Sequence, residues 1–256
     1  MNEGDTIIMT KIQYLDKMRG IIDHLETSET KSIETAAGYI ADSLLNGGVL
    51  FTSSIGHGNH EDFLNRAGGL AAIQYFAASI HIKAEVPDVY KDRPRESEEN
   101  FDKLSAEVEF LLKDSPMRGG DVLLIGSVSG KNAHPIELAV QARKMGVKVI
   151  IFTSLKYTEK VESGHPSGKK LFEVADVVID NGAPFGDAAV TIPGYDFDLL
   201  PVSGASAIIS GWAIFERVLV KMAEAGQPAI VFQSINRPGG QDYYNNAVKE
   251  YNKRGF

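Results

Sequence analysis

Asp121–Glu137 reads DVLLIGSVSGKNAHPIE, and this stretch decides the fold class. Val122–Ile125 is an unbroken apolar run behind a charged residue, the pattern of a strand buried on both faces. Gly126-Ser127-Val128-Ser129-Gly130-Lys131-Asn132 follows, and a helical pattern begins at Pro135. Small hydroxyl and glycine residues in that position suit an anion. Glycine lets the backbone come close, hydroxyls donate hydrogen bonds, and a helix start offers free N–H groups with partial positive charge. Taken alone, the stretch reads equally as a phosphate-binding turn or as an ordinary strand-to-helix loop.

The same alternation extends in both directions. Val49–Thr52 and Val147–Phe152 read as buried strands, Asp176–Ile179 as a further one, and Lys83–Val89 as an extended piece. Helical spacing predicts helices over Lys11–Leu25, over a segment capped at Thr30 or Ser32 and stopped by Gly47-Gly48, and through Phe63, Leu64 and Ala67. Further helices are expected over Phe101–Leu112, Pro135–Met145, a short Ser167–Val174, a long apolar Pro201–Ala225 opened by Ser203, and Gln241–Lys253. Asn181–Leu200 reads as a loop holding a short hairpin, Ala229–Phe232 as a last extended segment, and the charged Tyr90–Asn100 as a mobile cover. Strands alternating with helices mean an α/β fold: a mostly parallel sheet with helices on both faces. Residues 1–46 are expected to form an N-terminal helical appendage against the core or a dimer partner, and 47–256 a single domain. Ligands in such sheets bind at the carboxyl ends of the strands. Three of those ends carry hydroxyls: Ser53/Ser54, Ser127/Ser129 and Thr153/Ser154. That convergence favours the phosphate reading.

Composition narrows the classes. A 43% hydrophobic fraction suffices for a core, and the absence of cysteine excludes disulfides, thiolate metal sites and a cysteine nucleophile. It also fits a cytoplasmic protein. A net charge of −8 with no basic aromatic cluster argues against a nucleic-acid partner. No apolar run approaches the roughly 20 residues of a membrane span, and the acidic start of the chain is unlike a signal peptide.

The chemistry-bearing residues gather after the first strand. Gly56-His57-Gly58 lacks the third glycine of a dinucleotide fingerprint, and no P-loop pattern occurs, so no nucleotide cofactor is expected. His57 and Glu61 stand four apart at a helix start, which puts imidazole and carboxylate on one face. Glu61 could serve as a general base and His57 could assist it, with His60 as a relay. Moving a proton between two carbons of an aldose or ketose needs such a pair. The plainer account is a carboxylate complementing the helix dipole and a histidine in a turn. A metal held by His57, His60 and Glu61 is the weaker alternative, and no metal is expected. His165-Pro166-Ser167-Gly168-Lys169-Lys170 is a second candidate, with Ser167 as a helix cap or a lysine beside a phosphate. His24 and His81 have no supporting context, and His134 reads as a helix-start residue.

Together these residues resemble the sugar isomerase (SIS) domain family. The Ser127-x-Ser129-Gly130-x-Asn132 turn, the earlier serine turn and Thr153-Ser154 carry the likeness. Arg66–Leu70, His165–Lys169 and Ala175–Asn181 narrow it to a bacterial subfamily labelled phosphoheptose isomerase-like. The resemblance implies a three-layer, flavodoxin-like sandwich around a parallel five-stranded sheet, a homodimer or homotetramer, and a phosphosugar ligand. It implies phosphate binding by Ser53, Ser54, Ser127, Ser129 and Ser203, with catalysis by Glu61 and His57, and Asn132, Thr153 and Ser154 join the candidate phosphosugar-binding residues from their own turns. Two departures stand out. Gly56 replaces a serine common in the first turn, and Pro201–Ala225 contains no histidine where phosphoheptose isomerases use one, so His165 is expected to substitute from another loop. The leading reading is an aldose–ketose sugar-phosphate isomerase. The alternatives are a non-catalytic phosphosugar-sensing module and a lyase acting on a sugar-acid ether.

Overall fold

Side chains alternate across the sheet with a period of two, and this alternation builds the two cores. Leu50, Leu124, Ile150 and Ile179 face one helical layer, while Phe51, Leu123, Ile125, Val149 and Ile151 face the other. The computed structural model describes residues 11–57, 60–80, 83–92 and 100–256, apart from the His60 side chain. Gly58, His81 and most of the expected cover at Tyr90–Asn100 lie outside the described residues.

Five parallel strands, β1 (Leu50–Ser53), β2 (Ile73–Phe76), β3 (Val122–Gly126), β4 (Lys148–Thr153) and β5 (Val177–Asp180), pair in the order β2-β1-β3-β4-β5. Chain direction across the sheet reverses at β1, which makes the β1/β3 boundary the topological switch point. Asp121 ties the opposite, amino-terminal ends of these strands: its buried carboxylate accepts the amides of Val49 (2.9 Å) and Arg118 (2.8 Å).

On one face lie α1 (Gln13–His24), α2 (Thr30–Leu45) and, numbered in chain order, α7 (Ser203–Glu224). The first two are one continuous helix interrupted by a π-helical turn, Leu25–Glu29, so the expected cap at Thr30 does not form. The Thr30 hydroxyl instead donates back to the Glu26 carbonyl at 2.6 Å. The wide turn brings Glu29 to the Asp180 amide (3.2 Å) and His24 Nε2 to the Asp180 carbonyl (3.2 Å), fastening α1 to the end of β5. Helix α7, at 22 residues and a mean hydropathy of 1.2, has the length and composition of a membrane span. Here one side of it packs on α2 and the sheet, with Arg217 and Lys221 both paired to Glu34 of α2.

On the other face are α4 (Phe101–Asp114) and α5 (Ala133–Lys144). Between β1 and β2 the helical signal shrinks to a single turn, α3 (His60–Phe63), and between β4 and β5 to another, α6 (Leu155–Thr158). The expected extended piece at Lys83–Val89 joins no sheet and leads to a 3₁₀ turn at Asp88–Tyr90, and β2 lies earlier. Ser167–Val174 yields only a 3₁₀ turn at Leu171–Glu173. The expected hairpin is present as β6 (Ala188–Val190) and β7 (Leu199–Pro201). Ala229–Phe232 stays outside the main sheet, bridging Leu70 through Val231, and α8 (Gly240–Arg254) closes the described chain.

Candidate functional site

At the switch point two backbone segments approach closely. After β1 the chain turns at Gly56 (φ +107) and lays His57 across the end of β3, where the His57 amide donates to the Gly126 carbonyl at 2.6 Å. A Cβ on Gly56 would stand 2.2 Å from the Gly126 oxygen, and one on Gly126 would stand 2.2 Å from the His57 oxygen. Only two facing glycines permit this approach. Beneath the turn a cavity of about 20 Å³ remains, lined by Ser53, Phe63, Leu124 and Ala207 among others. That is room for about one water. A larger cavity of about 260 Å³ opens at the β5 edge of the same carboxyl face, between Lys17, His24, Lys156, Gly182 and Asp198.

Glu61 and His57 are both exposed. Among the described residues no hydrogen bond or ion pair joins them. Their backbone is nonetheless well held. Phe63, two residues beyond Glu61, is buried edge-on against Trp212 (5.8 Å between centroids) and Phe215 (5.2 Å) of α7. The proposed relay and metal ligand His60 has its side chain outside the described residues.

The predicted hydroxyls fall into two sets. Four are committed internally. Ser53 closes a turn on Ile55, Thr153 donates to the Ser127 carbonyl at 2.7 Å, and Ser154 donates to the Ala183 carbonyl at 2.6 Å while capping α6. Ser203 donates to Asp187 at 2.7 Å, and that carboxylate also accepts the Ser203 amide at 2.8 Å. The N-terminus of α7 is thus already satisfied by an acid from the hairpin. Ser54, Ser127, Ser129 and Asn132 form the second set: their side chains make no hydrogen bond among the described residues. They line the turns after β1 and β3.

The His165 loop shares no bonding pattern with the β1 turn. Gly164 donates to the Lys131 carbonyl at 2.8 Å, which lays the loop beside the Ser127–Asn132 turn. His165 is 8% exposed and Glu137 of α5 is 3% exposed. His165 Nε2 meets Glu137 Oε2 at 3.0 Å, while Ser105 and Gln141 donate to Oε1 at 2.6 Å each. Burial pushes the Glu137 pKa up, but the hydrogen bonds from Ser105, His165 and Gln141 outweigh it and hold the carboxyl below its ordinary range. Phe101 of α4 packs edge-on against the imidazole at 4.6 Å. Of the two lysines beside this loop, Lys170 donates to the Thr158 carbonyl and Lys169 is exposed. His134 keeps a buried Nε2 with no partner among the described residues, and burial pushes its pKa down.

Glu137 and Asp187 escaped the reading of the sequence. A signal existed for Glu137: a carboxylate inside the apolar run Pro135–Ala139 needs a buried partner. None existed for Asp187, whose partner is 16 residues away.

Comparison with known proteins gives the class. Residues 13–154 match the model of the SIS domain family, and the chain belongs to that family. Within it the chain is a member of the UPF0309 proteins. A relative from Oceanobacillus iheyensis is 34% identical over 247 residues, covering 93% of this chain and 95% of that one. Another from Streptomyces avermitilis is 31% identical, covering 95% and 96%. Among solved structures, the phosphoheptose isomerase GmhA of Neisseria gonorrhoeae aligns over 80% of this chain and 94% of its own, with 15% identity and a TM-score of 0.49.

Proposed function

We propose that this protein binds a sugar phosphate at the carboxyl ends of β1 and β3 and isomerises it between aldose and ketose. One observation carries this reading: Ser54, Ser127, Ser129 and Asn132 present unspent hydrogen-bonding groups on two neighbouring turns, at the switch point where such sheets take ligands. In this reading they hold the phosphate and sugar hydroxyls. Thr153 and Ser154 shape the floor, and Ser53 and Ser203 fix the two walls. Glu61 is the base that moves a proton between adjacent carbons, and His57 serves the hydroxyl and carbonyl oxygens. His165, buried with both ring nitrogens engaged, would act through its loop rather than by touching the sugar.

Of the proposed 1–46 appendage, the described helices then pack on the 47–256 domain and present their outer face to a second subunit, residues 1–10 lying outside the described residues. Ile12, Leu15 and Ile22 of the first helical segment are 63%, 48% and 44% exposed, which supports a homodimer or homotetramer. A chain without cysteine and with net charge −8, acting on a metabolite, fits a cytoplasmic enzyme that needs neither nucleic acid nor membrane.

Thermal stabilisation by a panel of sugar phosphates, with free phosphate as control, tests the site. The expected result is a shift that weakens in Ser129→Ala; no shift across the panel overturns the reading. Solvent-deuterium incorporation into the stabilising sugar then separates enzyme from sensor. Glu61→Gln should keep the shift and abolish exchange, whereas a sensor shows no exchange in the wild type.

A further inference from the structure

We propose that Ser167 is a nucleophile activated by the Glu137–His165 pair, forming a second catalytic site that accepts acyl groups from small carboxylic esters. The argument starts from proton positions. Both the Ser167 amide (3.2 Å) and the Ser167 hydroxyl (2.7 Å) lie on His165 Nδ1. An amide can only donate, so Nδ1 carries the lone pair and Nε2 carries the proton that is given to Glu137 at 3.0 Å. The Ser167 hydroxyl must therefore point its own proton at Nδ1. Its oxygen in turn accepts the Lys169 amide at 3.2 Å, a contact that stabilises negative charge as the proton leaves.

Burial separates the roles. Glu137 is buried and His165 retains only 8% exposure, and Ser105 and Gln141 hold the carboxylate in place. Ser167 is exposed, so its hydroxyl can meet a substrate with His165 Nδ1 directly behind it. A serine, an imidazole and a carboxylate in this order, each within hydrogen-bond reach of the next, is the arrangement that activates an alcohol for acyl transfer. The bonds balance without an added reactant. Oγ bonds the acyl carbon and the ester C–O bond breaks. The hydroxyl proton passes to Nδ1 and on to the departing alkoxide, while Glu137 stabilises the transient imidazolium. Water then releases the carboxylic acid by the same route.

A fluorophosphonate probe tests this on the intact protein. It breaks its P–F bond only on an activated hydroxyl, and peptide mass spectrometry locates the adduct. Ser167 should be labelled in the wild type and Ser167→Ala should not be, while that variant keeps the wild-type melting temperature. His165→Gln and Glu137→Gln should label at least about a hundredfold more slowly, given what a positioned base contributes. Should both buried variants lose their fold, Ser105→Ala replaces them and should still slow labelling. A wild-type Ser167 that stays unlabelled, or a rate unchanged in a folded variant, overturns the proposal. Sugar-phosphate binding at the β1 and β3 turns is unaffected by either result.

Discussion

Two loops rise from the carboxyl side of the sheet, and they are held in opposite ways. The turn after β1 is fixed through its backbone: Gly56 and Gly126 let His57 bond across to β3, while the His57 and Glu61 side chains stay idle. The His165 loop is fixed through its side chains, with Glu137, His165, Ser105, Gln141 and Ser167 bonded in one network. A polar atom already satisfied in the fold contributes stability and order. An atom left open on a rigid backbone is available to a ligand. The contrast therefore separates a turn ordered by its backbone, whose side chains are left open, from a loop ordered by its side chains, where the exposed Ser167 hydroxyl is the outward end of the network.

The sharpest way to break this comparison is Glu137→Ala. It strands the His165 N–H and two further donors, and should cost about 3 kcal/mol by chemical denaturation. A loss under about 0.5 kcal/mol, the range of ordinary surface changes, would erase the distinction. Next is Gly126→Ala, whose Cβ would meet the His57 oxygen at 2.2 Å. An expected loss of about 2 kcal/mol follows from the strain of an overpacked backbone contact, and it should be accompanied by changed amide exchange at His57. Acid unfolding sharpens the electrostatic side. The folded pKa of Glu137 is depressed, so its stabilisation is present above the unfolded value of about 4.3 and is lost as pH falls through the folded value. Glu137→Gln should flatten that acid limb, and a limb of unchanged slope would contradict the assignment. The smallest effect belongs to the exposed pair. Glu61→Gln and His57→Ala should each move stability by no more than about 0.5 kcal/mol. Any larger shift in melting would mean these side chains are structural after all.

The fold was largely legible because its signals are local. Buried parallel strands are short continuous apolar runs, and β1, β3, β4 and β5 each display one. The strand β2 did not, since Ile73-Gln74-Tyr75-Phe76 has a polar residue and an exposed tyrosine, as befits an edge. A polar surface also hid the join between α1 and α2, where a π turn keeps the helix running without any cap. For the candidate site, the hydroxyl turns were visible as composition, but composition could not rank them. Thr153 and Ser154 look as available as Ser127 and Ser129 until their carbonyl partners, between 25 and 29 residues away in sequence, are known.

The amino-acid sequence by itself determined the alternation of strands and helices, the place of the glycine and serine turns after β1 and β3, and the residue types on them. These depend on neighbours within a few positions, through side-chain periodicity and backbone freedom. Only the tertiary structure decided which hydroxyls are spent, that Asp187 satisfies the start of α7, and that His165 finds Glu137 across 28 residues. Hydrogen bonds of that kind join atoms brought together by packing, and their partners are chosen by the fold rather than by distance along the chain.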